Sequence, residues 1–149
     1  MLSYLYLFKQ KGDNMKKIEH IGIAVENVDE SEKVFAALFD TQPYKREVVE
    51  AQKVLTSFFR VGNNKIELLQ ATSDDSVIKK FIDKKGPGFH HIAFAVSDIL
   101  SEMERLKKQG FRLLNESPVE GADNKLVCFC HPKSTNGMLV ELVQEKVLK

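Results

Sequence analysis

Two histidines and two glutamates recur in matched settings along the chain. His20 opens His20-Ile21-Gly22-Ile23-Ala24-Val25, and His91 opens His91-Ile92-Ala93-Phe94-Ala95-Val96, a segment with the same His, Ile, Ala and Val. Further on, Ile66-Glu67-Leu68-Leu69-Gln70 is matched by Val140-Glu141-Leu142-Val143-Gln144. Each glutamate follows its histidine at nearly the same distance. A carboxylate in the middle of an apolar strand is costly unless something neutralises it. If the two copies pair by an internal twofold axis, His20, Glu67, His91 and Glu141 converge as two imidazoles and two carboxylates, a site for one divalent cation. Nitrogen and oxygen donors without thiolate suit Zn, Co, Ni, Mn or Fe, and donor type alone does not choose among them.

The elements that position these residues read clearly in both copies. Strand alternation puts His20, Gly22 and Ala24 on one face and Ile21, Ile23 and Val25 on the other, and it divides the His91 segment in the same way. The bulky face is expected to cover helices. The small-residue face beside each histidine is expected to leave space for a ligand, and His90, on the opposite face from His91, to pack or to support its neighbour. After the first histidine strand, Asp29-Glu30-Ser31-Glu32 looks like a helix start, followed by Val34, Phe35, Leu38 and Phe39 at helical spacing. After the second, Asp98 precedes Ile99, Met103 and Leu106, with Gly110 as the stop. β-rich runs at 54–61 and 125–130 end in turn chemistry at Gly62-Asn63-Asn64 and Ser134-Thr135-Asn136-Gly137. Each half is therefore strand, helix, then several strands. Residues 74–85, with a Gly86-Pro87-Gly88 stop, form a linking helix.

Composition excludes several classes. The chain has 149 residues, 43% hydrophobic and 29% charged, and a formal net charge of +1, which suits a folded domain and gives no global field for nucleic acid or a membrane surface. No segment approaches the roughly 18 apolar residues of a bilayer span. Cys128 and Cys130 share one strand face, a poor geometry for a disulfide, so they are expected as free, buried residues in a reducing, cytoplasmic setting. Residues 1–14 are set aside as an N-terminal extension: Lys11-Gly12 is encodable by purine-rich codons resembling a ribosome-binding site, which makes Met15 an alternative start. Residues 15–149 are expected to form one pseudo-symmetric domain, with a first module at about 16–72, the linking helix at about 74–85 and a second module at about 88–145.

These motifs resemble the vicinal oxygen chelate (glyoxalase/bleomycin resistance) superfamily, and within it the methylmalonyl-CoA epimerases. The likeness covers nearly all of residues 16–145. It rests on Glu19-His20-Ile21-Gly22, Gly62-Asn63-Asn64-Lys65-Ile66-Glu67, Gly88-Phe89-His90-His91 and His131-Pro132-Lys133-Ser134 through Gly137-Met138-Leu139-Val140-Glu141. The resemblance implies an α+β fold in which paired βαβββ modules form a cup-shaped, mostly antiparallel eight-stranded sheet around a metal site. It implies one divalent ion (Co, Zn, Ni or Mn) on His20, Glu67, His91 and Glu141, a homodimer, and an acyl-CoA substrate, with (R)- and (S)-methylmalonyl-CoA interconverted through an enolate.

Inversion needs a proton removed on one face of C2 and delivered on the other. Glu141 is the first candidate for one role. Some family members carry a further glutamate on the strand after the first helix, where this chain has Thr56; Glu50 is the nearest acidic residue and the candidate for the second role. Lys125 and Lys133 are candidates for the CoA phosphates. The alternatives are a lactoylglutathione lyase (glyoxalase I) using the same four-ligand logic, and a metal-free, drug-sequestering binding protein.

Overall fold

The computed structural model of the chain describes residues 14–146; the extension expected over 1–14 lies outside them except for Asn14. In chain order the elements are β1 (Met15–Ala24), α1 (Val28–Phe39), β2 (Lys45–Val49), β3 (Val54–Val61), β4 (Asn64–Ala71), α2 (Val77–Lys85), β5 (Gly88–Val96), α3 (Ile99–Lys108), β6 (Val119–Gly121), β7 (Lys125–Cys130) and β8 (Leu139–Glu145). This is the expected α+β series, βαβββ twice, with α2 between. The strands are hydrogen-bonded in the order β2-β3-β4-β1-β5-β8-β7-β6, so the four strands of each half follow one scheme when read from either end. The sheet is mixed: β1 runs parallel to β4, whereas β2–β3, β3–β4 and β7–β8 are antiparallel.

The chain forms two compact units. One comprises His20–Ile92 with Gly121–Asp123, and the other holds 93–120 and 124–146 with the residues before His20. In the first, Val25, Val28, Phe59 and Leu68 are buried with Ile23, Phe35 and Phe39 packed on them, so the bulky face of β1 does cover α1. Under α2, Ala24, Val54, Leu69 and Ile78 form a second cluster. In the other unit Val96, Ile99, Met103 and Leu106 pack with Cys128, Cys130 and Leu142, and Ala93 is enclosed by Val127 and Val143. Ala24 and Ala93 are both fully buried. Their small size therefore serves apolar packing, and the expectation that they leave ligand space is not met. Both cysteines are free and buried, and burial pushes the Cys128 thiol up to about 11.

Helix starts are set by side-chain acceptors. α1 begins at Val28 rather than at Asp29, because Asn27 is the cap and accepts from the Glu30 amide at 3.0 Å. Ser76 caps α2 and Asp98 caps α3 in the same way. The repeated glutamines add a second tie. The Val28 amide donates to Gln70 Oε1 at 2.6 Å, and the Ile99 amide donates to Gln144 Oε1 at 2.7 Å. Each closing strand thus pins the first turn of its own helix, three residues beyond its glutamate, and supplies an acceptor to an amide that has no partner within the helix.

β2 is a polar edge strand that hydrophobic periodicity does not reveal. It is held by pairing with β3 and by Arg46, whose guanidinium reaches Asp29 and Glu32 on α1 at 2.6 Å.

Candidate metal centre

His20, Glu67 and His91 meet within one compact unit, all buried. In the parallel register of β1 and β4, His20 stands opposite Lys65 and Gly22 opposite Glu67, which places His20 and Glu67 on one face, one step apart along the strands. His91 comes from β5. Its Nε2 lies 2.9 Å from His20 Nε2, and Glu67 Oε2 lies 3.4 Å from His20 Nε2. One ligand atom from each of the three residues lies within 4.8 Å of the others. Donors about 2.0–2.2 Å from a common ion stand about 3–3.5 Å apart when their bonds meet at 90–110°, so the two close separations fit first-row divalent coordination. The donor chemistry fits as well: two imidazoles and a carboxylate, all buried, are nitrogen and oxygen donors suited to a divalent cation.

Gly22 makes this arrangement possible. A Cβ on Gly22 would lie 2.2 Å from His91 Cε1 and 2.4 Å from His91 Nδ1. The space kept open by this small residue is occupied by the His91 ring itself. His90 also touches His91, with their Nδ1 atoms 3.0 Å apart, and its ring meets Phe81 of α2 edge-on at 4.9 Å.

The remaining candidates are distributed as follows. Glu141 is buried in β8, opposite Phe129, in the other compact unit. Glu50 is exposed at the start of a 3-10 turn, Glu50–Gln52, directly after β2. Thr56 is buried in β3 opposite Glu47 of β2. Lys125 is buried, with Nζ 2.6 Å from Glu145, and Lys133 is exposed on the 3-10 turn Pro132–Ser134. The His131-Pro132-Lys133-Ser134 tract forms that turn: His131 Nδ1 accepts from the Lys133 amide and Ser134 Oγ from the Arg112 amide.

Sequence reasoning missed a charged cluster built from β2, β4 and the 3-10 turn Ala122–Asn124. Lys45 Nζ and Lys65 Nζ reach Asp123 at 2.6 and 2.9 Å, and the Asp123 amide donates to Glu47 at 2.9 Å. Lys65 lies two residues before Glu67, on the same face. The one local signal was Asp123 in a Gly-Ala-Asp-Asn turn, where its left-handed φ of 59° is tolerated by a short polar side chain. Burial pushes the Asp123 carboxyl up, but the hydrogen bonds and charges of Lys45 and Lys65 outweigh it and hold the group at about 2, against an ordinary 3.8. A carboxyl depressed on folding adds stability above its unfolded pKa and loses it as pH falls through the folded value. Asp123→Asn should therefore cost about 2 kcal/mol at neutral pH, with the difference from wild type fading between about pH 4 and pH 2 in denaturant titrations; a pH-independent difference would contradict this ion-pair role.

Residues 19–129 match the Glyoxalase/Bleomycin resistance protein/Dioxygenase superfamily. The chain belongs to this superfamily. Among its relatives, the mitochondrial methylmalonyl-CoA epimerase of Dictyostelium discoideum is 37% identical over 131 residues, 87% of this chain and 78% of that protein. The crystal structure of methylmalonyl-CoA epimerase from Mycobacterium tuberculosis superposes with a TM-score of 0.87 at 31% identity, covering 91% of each chain. A variant of the Streptomyces coelicolor epimerase in complex with 2-nitronate-propionyl-CoA superposes with a TM-score of 0.85 at 31% identity, covering 89% of this chain and 99% of that one. The superfamily fold that the resemblance implied is thus the observed one.

Proposed function

We propose that the chain is a metal-dependent methylmalonyl-CoA epimerase, which inverts C2 between the thioester and the carboxylate of its substrate. The observation that carries this reading is the meeting of His20, Glu67 and His91 in a superfamily member whose epimerase relatives match along most of its length. These three side chains would hold one divalent ion, Co, Zn, Ni or Mn. When bound, the ion supplies Lewis-acid stabilisation of the negative charge that develops on the thioester oxygen as C2 is deprotonated.

The chain's own residues then divide the remaining work. His20 and His91 offer neutral nitrogens, and Glu67 brings a compensating negative charge to a buried centre. Inversion requires a proton carrier on each side of C2, and Glu50 is the carrier proposed for one of them. Lys125 and Lys133 approach the CoA phosphates, Lys125 by exchanging its present carboxylate partner, Glu145, for phosphate. The working form is a homodimer in the cytoplasm. No helix among the described residues is long and apolar enough to cross a membrane.

The test is proton exchange and epimerisation of methylmalonyl-CoA in deuterated buffer, beside turnover of methylglyoxal with glutathione. Epimerisation with deuterium at C2 supports the proposal. Turnover of the glutathione adduct alone would transfer the chain to the lactoylglutathione lyases, and binding of an acyl-CoA with neither reaction would favour the metal-free binding class. Glu50→Gln sharpens the mechanism: inversion should fall about 100-fold, while exchange at C2 of one enantiomer persists. Unchanged inversion would remove Glu50 from the chemistry.

A further inference from the structure

We propose that His90 is a positioning residue that fixes His91 in the tautomer able to take a divalent cation through Nε2. This inference rests on the metal reading above and concerns a residue to which that reading gives no role. His91 has two ring nitrogens, each with a histidine neighbour: Nε2 faces His20 Nε2 at 2.9 Å, and Nδ1 faces His90 Nδ1 at 3.0 Å. A neutral imidazole carries one proton, so it donates at one nitrogen and accepts at the other. For Nε2 to offer its lone pair to an ion, the proton must sit on Nδ1, and His90 Nδ1 is the acceptor placed to receive it. His90 then carries its own proton on Nε2.

The order of hydrogen bonds that follows is consistent along the row. His20 Nε2–H donates to His91 Nε2, and His91 Nδ1–H donates to His90 Nδ1. An ion would require the His20 proton to sit on Nδ1 rather than Nε2 of the same ring, and would leave the His91 tautomer as it stands. The row is also held mechanically. The His91 ring is confined by the backbone at Gly22, and the His90 ring is confined by Phe81 of α2, which it meets edge-on at an interplanar angle of 83°. Histidine ligands commonly donate their second N–H to a carboxylate or a carbonyl, and loss of such a partner costs 10–100-fold in metal affinity. Here the partner is the preceding residue of the same strand, and the linking helix supports it.

The experiment uses metal-stripped full-length protein titrated with Co2+ alone, followed by absorption, together with 15N NMR of the His91 ring. Wild type should show His91 protonated at Nδ1 before any ion is added. His90→Phe keeps a ring against Phe81 and removes the acceptor, so Co2+ affinity should fall at least about 10-fold and the His91 proton should move to Nε2. His90→Asn returns an acceptor near the Nδ1 position and should recover most of the affinity, while thermal unfolding of the metal-stripped proteins changes little among the three. Equal Co2+ affinity of wild type and His90→Phe, or an Nε2-protonated His91 in metal-stripped wild type, would overturn the role of His90. Wild type that takes up no Co2+ would instead overturn the metal reading on which it rests.

Discussion

Exhaustive chelation of the purified protein is expected to reduce epimerisation of methylmalonyl-CoA by at least about 1,000-fold, with recovery on adding back Co2+ or Zn2+. The reasoning is one of scale. Loss of a Lewis acid at a developing enolate removes several kcal/mol of transition-state stabilisation, and each 1.36 kcal/mol is about tenfold in rate. His91→Ala should show the same loss without recovery, because it removes one of the two imidazoles whose Nε2 atoms stand 2.9 Å apart at the centre. Coupled turnover to the opposite enantiomer is the measurement. Full activity in chelated protein would mean that Glu67 and the histidines stabilise the reaction without an ion.

Gly22→Ala should be nearly as damaging, although it adds a single methyl group and touches no ligand by name. Its Cβ would fall 2.2 Å from His91 Cε1, well inside contact distance, and the obstructing atoms belong to a ring held by neighbours on its other edges. Either His91 turns away or β1 and its neighbours separate. Metal distances tolerate only about 0.2 Å of error, so an ångström-scale shift should lower Co2+ affinity by about 100-fold or more and lower activity with it. Alanine in place of glycine in a strand ordinarily stabilises slightly by restricting the unfolded chain. The expected signature is therefore a thermal midpoint of the metal-stripped protein that falls far less than its metal affinity does. Wild-type affinity in Gly22→Ala would show that the His91 ring is not seated against this backbone.

Much of this was legible because the molecule is duplicated. The His20 and His91 hexapeptides and the Glu67 and Glu141 pentapeptides are local patterns, and repetition singles them out from ordinary strand residues. The strand, helix, then several strands of each half, the buried cysteines and the linking helix followed from strand and helix periodicities, whereas the βαβββ count came from the family resemblance. What was missed is either polar or distant in sequence. β2 has no apolar stripe, and its strand character comes from pairing with β3. Asp123 meets Lys45 and Lys65 across 78 and 58 residues of chain, a contact that no local rule reports. Alternation assigned Gly22, Ala24 and Ala93 to the histidine face correctly but could not say what fills the space beside them: an imidazole at Gly22, and apolar side chains at Ala24 and Ala93. Asn27 was overlooked as a cap because two acidic residues follow it in the first turn of α1.

The most direct measurement is an anomalous-scattering map from crystals of the Co2+-loaded protein, recorded on either side of the cobalt edge. One strong peak per chain is expected about 2.0–2.2 Å from His20 Nε2, His91 Nε2 and a Glu67 carboxylate oxygen. A featureless map at these three side chains, or a peak bound elsewhere on the chain, would contradict the account.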